Sequence, residues 1–308
     1  MWKIASGVFL GWSLGANDSA NIFGTGVATG AVRYTTAIVL TSIFVLFGAL
    51  VEGPKCMETV GELSLLSPVD AFCCTLAGGL TMTALTLAAL PASSSHAVVG
   101  AVIGVGMLSG SADFSRLYRI VVCWVFTPVC ALALAYVLFR VLGYLINRTI
   151  PSLTSRNTLY RAGILLAGCY GAYTLGANNV ANVTGVYVGA ALLSAEVASL
   201  VGGLSIAAGV LTYSRNVMVT VGKGIAPLGP FSAFVVVLTA AATLHLFTQV
   251  GVPVSSSQAV VGAVVGVGMV GDVRTVSQRM LGKIVLGWLL TPVAGGLLAY
   301  ALLRVFFS

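Results

Sequence analysis

Charge is what this sequence has least of. Asp, Glu, Lys and Arg make up only 7% of its 308 residues, against about a quarter in a soluble domain. So few charges cannot cover a soluble surface, and the 58% of residues that are hydrophobic must face something other than water. Acids are scarcest, with eight Asp and Glu against fifteen Lys and Arg. With two His and no acids clustered as an acid/base or metal-binding set, the chain lacks the groups of an intramembrane hydrolase or transferase, so no enzyme and no cofactor is expected. Its six cysteines (Cys56, Cys73, Cys74, Cys123, Cys130 and Cys169) have no metal-ligand spacing and read as small packed hydrophobes. The net charge of +7 would suggest nucleic acid in a soluble chain, but here the Lys and Arg sit in short connections between apolar runs. The expected surroundings are a lipid bilayer, with no nucleic acid partner.

Those runs number about ten, read with a window of about 20 residues, the length that crosses roughly 30 Å of hydrocarbon. They cover residues 4–29, 35–51, 69–90, 97–108 and 117–146, then 159–192, 195–212, 231–250, 259–270 and 281–306. The fourth of each set is short, as a re-entrant or half-helix element would be. The first run could pass for a signal peptide, but it leads straight into Asn17-Asp18 and has a counterpart later, so it is read as the first span. The connection from Asn147 to Thr158 leaves no room for a soluble domain. Residues 1–150 and 151–308 therefore form two transmembrane repeats of one membrane domain.

The halves repeat one another in sequence. Pro91-Ala92-Ser93-Ser94-Ser95-His96-Ala97-Val98-Val99-Gly100 returns as Pro253-Val254-Ser255-Ser256-Ser257-Gln258-Ala259-Val260-Val261-Gly262, and the segment Gly15 to Asn21 (GANDSAN) returns as Gly176 to Asn182 (GANNVAN). If each half crosses an odd number of times, the second copy enters from the opposite side and an inverted repeat results. The expected fold is an all-α integral membrane protein with two inverted-topology repeats and broken or re-entrant helices at its centre. One face then carries Lys3, Lys55, Arg116, Arg119 and Arg304, and the other carries the remaining ten basic residues. The positive-inside rule places the richer face in the cytoplasm and both termini outside, in a multi-pass protein of the plasma or inner membrane.

Asp18 is the acid most firmly placed in an apolar run, where a charge costs at least about 2.5 kcal/mol. With Asn17 and Asn21, and with Asn178, Asn179 and Asn182 from the second copy, it offers hard oxygen ligands for a coupling cation, sodium or proton. The alternative for such residues is polar contact between packed helices. The serine triplets carry a second chemistry. A proline, three serines and an apolar run mark a helix start, whose hydroxyls and free N–H groups bind anions without Lys or Arg. Ser93, Ser94 and Ser95 with Ser255, Ser256 and Ser257 would then surround one tetrahedral oxyanion, ordinary capping being the plainer alternative. Accessory candidates are His96, Gln258, Thr25 and Glu58. Gly100, Gly104, Gly262 and Gly266 fit close helix packing better than ligand binding. Glu52 and Glu196 read as solvated helix ends, and His245 as a packed side chain.

At these residues the chain resembles the inorganic phosphate transporter (PiT) family. The likeness rests on the paired GAND-type segments, the paired P-x-S-S-S-x-A-x-V-G segments and the stretch Val217 to Lys223. It implies an inverted-repeat secondary transporter that moves inorganic phosphate, or sulfate in some relatives, by symport with sodium or protons. It also implies that the Asn and Asp residues above serve the cation and the serines serve the anion. The chain departs from the family pattern at Asn179, where an Asp is usual, at Val45, where many relatives carry Glu, and at Gln258, where a His is usual. Each departure removes a titratable group, which tilts the substrate slightly toward sulfate, an anion that wants donors only. A passive anion channel on the same helix ends is the rival reading, and concentrative uptake separates the two. Monomer and homodimer both remain open.

Overall fold

The computed structural model describes residues 2–87, 93–218, 228–270 and 278–307. Pro91 and Ala92, the end of the third apolar run, Val219 to Lys223 and Arg274 lie outside the described residues. Among the described residues the chain is helical, with no strands and a single isolated bridge between Ser64 and Ala112. Among the described residues, six helices are long and apolar enough to cross a membrane.

In the first half, α1 (Ala5–Asp18) and α2 (Ala20–Ala28) follow one another across Ser19. Then come α3 (Tyr34–Glu52), the short α4 (Pro54–Gly61), α5 (Pro68–Leu87), α6 (Ser94–Ser109) and the long α7 (Phe114–Thr149). The second half has α8 (Leu153–Gly189), α9 (Ala195–Tyr213), α10 (Pro230–Gln249), α11 (Ser256–Val270) and α12 (Gln278–Phe307). Repeat-related α3 and α9 match in length, with 19 residues each. One difference lies at the polar motif. The first copy is interrupted at Ser19, whereas α8 runs unbroken through Asn178, Asn179 and Asn182.

The halves are built into each other, and packing partners come in matched pairs. Helix α6 lies along α12 while α11 lies along α7; α1 lies along α9 while α3 lies along α8. Glycines make these approaches close. Gly100 and Gly104 of α6 meet the backbone of Pro292 and Gly296, and Gly262 and Gly266 of α11 meet that of Pro128 and Leu132. In the same way Gly15 abuts Ile206 on α9 and Gly176 abuts Val45 on α3. Apolar side chains gain little by leaving lipid for protein, so helices in a membrane associate through such small-residue contacts and through polar bonds. The glycines of the repeated motifs are therefore packing residues, as their spacing suggested.

Pro128 and Pro292 sit inside α7 and α12. A proline has no N–H, so the carbonyl four residues earlier loses its helical partner. For Pro292 that carbonyl belongs to Trp288, and His96 Nδ1 lies 2.9 Å from it. A carbonyl only accepts, so Nδ1 carries the proton of the imidazole and Nε2 is left bare.

Candidate oxyanion and cation site

Both serine triplets start helices. Ser93 caps α6, its Oγ accepting from His96 N at 3.3 Å, and Ser255 Oγ accepts from Gln258 N at 3.3 Å ahead of α11. All six serines are buried. The two turns meet, because Ser95 Oγ donates to Val254 O at 3.0 Å, the carbonyl just before the second triplet.

Asp18 lies where these turns and both polar motifs converge, and it is 1% exposed. Its Oδ2 accepts from Ser94 Oγ at 3.0 Å and faces Asn179 Nδ2 at 3.5 Å, and the Ser256 hydroxyl also acts on the carboxylate. Asn182 Nδ2 donates to Ser95 Oγ at 2.9 Å and to Asn179 Oδ1 at 3.2 Å. Asn21 Nδ2 donates to Ser256 Oγ at 3.0 Å. One carboxylate thus touches a serine from each triplet and an asparagine from the other half, which sequence spacing alone does not require.

Several oxygens are left over. Asp18 Oδ1, Asn182 Oδ1, Ser19 Oγ and Thr25 Oγ1 are buried without a hydrogen-bond partner. Buried acceptors are rarely left unpaired, and the free Oδ1 of a buried carboxylate suits a small cation. Ser19 was not among the residues picked from sequence; its position at the interruption between α1 and α2 is the signal that would have found it. The Gln258 side chain lies against His96, both are buried, and the His96 ring packs at a tilt on Trp124 with 3.8 Å between ring centroids.

Other candidates fall elsewhere. Glu58 is exposed on α4 and takes no part in this cluster. Asn17 Nδ2 donates to Thr86 Oγ1 at 2.7 Å. Asn178 donates to Thr248 Oγ1 at 3.0 Å and Val252 O at 3.2 Å, while its Oδ1 accepts from Val254 N at 2.9 Å. It therefore serves as a clamp on the turn leading to Ser255. Asn178→Ala would strand two buried backbone groups, each costing about 1–3 kcal/mol. A fall in the unfolding temperature of the purified protein is expected, and an unchanged melting curve would remove the clamp.

Sequence reading also missed a polar knot at the end of α3. Glu52 Oε1 accepts from Lys55 Nζ at 2.7 Å and Gln249 Nε2 at 3.0 Å, and Oε2 lies 3.1 Å from His245 Nε2. Tyr170 Oη bonds His245 Nδ1 at 2.7 Å. Glu52 is thus bonded rather than merely solvated, and His245 is more than a packed ring. Only the tertiary fold joins these positions, so no local pattern announces them.

The chain is similar to several known proteins. A Methanocaldococcus jannaschii protein named "Putative phosphate permease" is 28% identical over 300 residues, covering 96% of this chain and 94% of its own length. A sulfate permease of Bacillus subtilis is 27% identical, covering 97% of this chain and 86% of its own. Among solved structures, a sodium-dependent phosphate transporter superposes with a TM-score of 0.86 at 22% identity, over 99% of this chain and 98% of that one, a likeness of fold. The model of the phosphate transporter family matches residues 14–299, and by that match the chain belongs to this family.

Proposed function

We propose that this protein is a secondary transporter that carries inorganic phosphate together with a cation, by alternating access between two inverted repeats. The observation that carries the reading is the Asp18 carboxylate bonded to Ser94 and facing Asn179, with its own Oδ1 buried and unpartnered. The matched helix pairs, each joining one half to the other, support the two repeats.

A cation binds first, at the unpartnered Asp18 Oδ1. The anion follows, held by serine hydroxyls and backbone N–H groups at the starts of α6 and α11. The order has an electrostatic cause. A unit charge about 4 Å from Asp18 is repelled by roughly 4 kcal/mol at an effective dielectric constant of about 20, and phosphate brings more than one. A bound cation removes that penalty, and this difference is the coupling free energy. The halves then rock about the fixed site.

Sodium is the first cation to test, because the structural relative is named sodium-dependent. Sulfate remains the second substrate, favoured by the Bacillus subtilis relative and by Asn179, which adds no second carboxylate. In proteoliposomes, radiolabelled phosphate should accumulate against its gradient when sodium is imposed outside. Accumulation of sulfate alone would move the assignment to sulfate, and equilibration without accumulation would make the protein a channel.

A further inference from the structure

The repeat places two sets of residues at equivalent positions, and they look quite different. Aligning Gly15 with Gly176, Gly48 with Gly209 and Pro68 with Pro230 pairs Glu52 with Tyr213, Tyr173 with Trp12, His245 with Thr83 and Gln249 with Leu87. The first member of each pair lies in or against the charged knot at the end of α3. The second members line a cavity of about 200 Å³, with Trp12 and Tyr213 at 5.6 Å between ring centroids. Thr86 also lines the cavity and accepts a hydrogen bond from Asn17, the neighbour of Asp18 in sequence.

The knot ties down its own end. Gln249 is the last residue of α10, and the turn after it leads to the second serine triplet. Around Glu52, Lys55 Nζ also donates to Gln249 Oε1 at 2.7 Å, Thr59 Oγ1 donates to Gly251 O at 2.5 Å, and Arg119 Nη2 donates to Val250 O at 2.9 Å. These bonds tie α4 and α7 across the turn. Cys56 lies beneath them, fully buried, with Asn178 Nδ2 3.9 Å from its sulfur.

We propose that Glu52 is a positioning residue whose contacts with Lys55, Gln249 and His245 latch one mouth of the oxyanion site shut, a device that the repeat-related Trp12, Thr83, Leu87 and Tyr213 do not reproduce. The proposal rests on the transport reading, since only a carrier needs one mouth closed while the other is open. Breaking the latch frees the turn before Ser255 and gives access from the α4 side. The groups bearing on Glu52 are Lys55 and Cys56 from α4, Tyr170 and Tyr173 from α8, and His245 and Gln249 from α10. Lys55 and His245 both hold it, so loss of either should act in the same direction.

Native Cys56 reports on the latch. Burial pushes its thiol up to about 12, which slows alkylation as long as the mouth stays closed. Purified protein in proteoliposomes is treated with a maleimide, and modification of each cysteine is followed by peptide mass spectrometry. Glu52→Ala and His245→Ala should each speed labelling of Cys56 by about tenfold or more, while the double variant adds little to either. Cys74, fully buried in α5, should stay protected in all of them. Glu52→Asp, which keeps the charge, should restore part of the protection. Cys56 remaining protected in both single variants would overturn the latch, and so would equal exposure of Cys56 and Cys74, which means general loosening. If the wild-type protein accumulates neither phosphate nor sulfate, the transport reading fails independently of the labelling result.

Discussion

Asp18→Asn should reduce cation-driven uptake by roughly a hundredfold or more, since the charge that couples the two substrates is gone. The fold should survive. The amide keeps an oxygen for Ser94 Oγ, which donates to Oδ2 at 3.0 Å, and it no longer carries a charge at membrane depth. The expected signature is therefore a loss of transport with the melting temperature equal to or above that of the parent. Most damaging substitutions lose both, so this divergence marks a residue kept for function at a cost in stability. Phosphate binding should also become independent of sodium, because the repulsion that made the cation necessary has been removed. Accumulation at the parental rate would refute the role assigned to Asp18, and an unfolded variant would show the carboxylate to be structural.

Gly100→Val is expected to act on the fold and nearly abolish recovery of the protein. A side chain at Gly100 would run into the carbonyl, Cα and carbonyl carbon of Pro292, which belong to the backbone of another helix and cannot turn aside. Overpacking typically costs about 1–3 kcal/mol where side chains can adjust, and a rigid backbone gives less room for adjustment. Gly262→Val should fail in the same way, because Gly262 meets the backbone of Pro128. The control is Gly229→Ala, at a position where an added carbon meets nothing within 4 Å and φ is −70°. Size-exclusion profiles of detergent extracts would show a sharp peak for the control and aggregate or no protein for the valine variants. A sharp peak for Gly100→Val would mean that α6 and α12 need not touch as closely as described.

Much of this was legible in the sequence because a bilayer leaves the chain few options. Backbone groups in lipid must be satisfied within helices, so apolar runs gave the helices at residues 34–52, 195–213 and 230–249 almost to the residue. Asp18 stood out because charge there is costly, and the serine triplets because hydroxyls in an oily run need a use. The convergence of Asp18 on Ser94, Ser256 and Asn179 was not legible, since it depends on how the halves cross. Nor was the interruption at Ser19, which α8 lacks although its motif is nearly the same. Asn178 illustrates the limit of motif reasoning. It matches Asn17 in sequence, yet its amide is committed to Val252 and Val254 as well as to a threonine. Glu52 and His245 looked unremarkable for the same reason, as their meaning comes from each other across the fold.

The lodging of each half's short serine helix against the other half's last helix sets a deadline on synthesis. Helix α6 leaves the ribosome early, but its glycine face finds no resting place until the 30 residues of α12 arrive. A chain cut short anywhere before that point leaves the glycine face of α6 without the helix it packs against. The same dependence means that two fragments divided between Asn147 and Thr158 and made in one cell would each be incomplete apart and should assemble into a working carrier together.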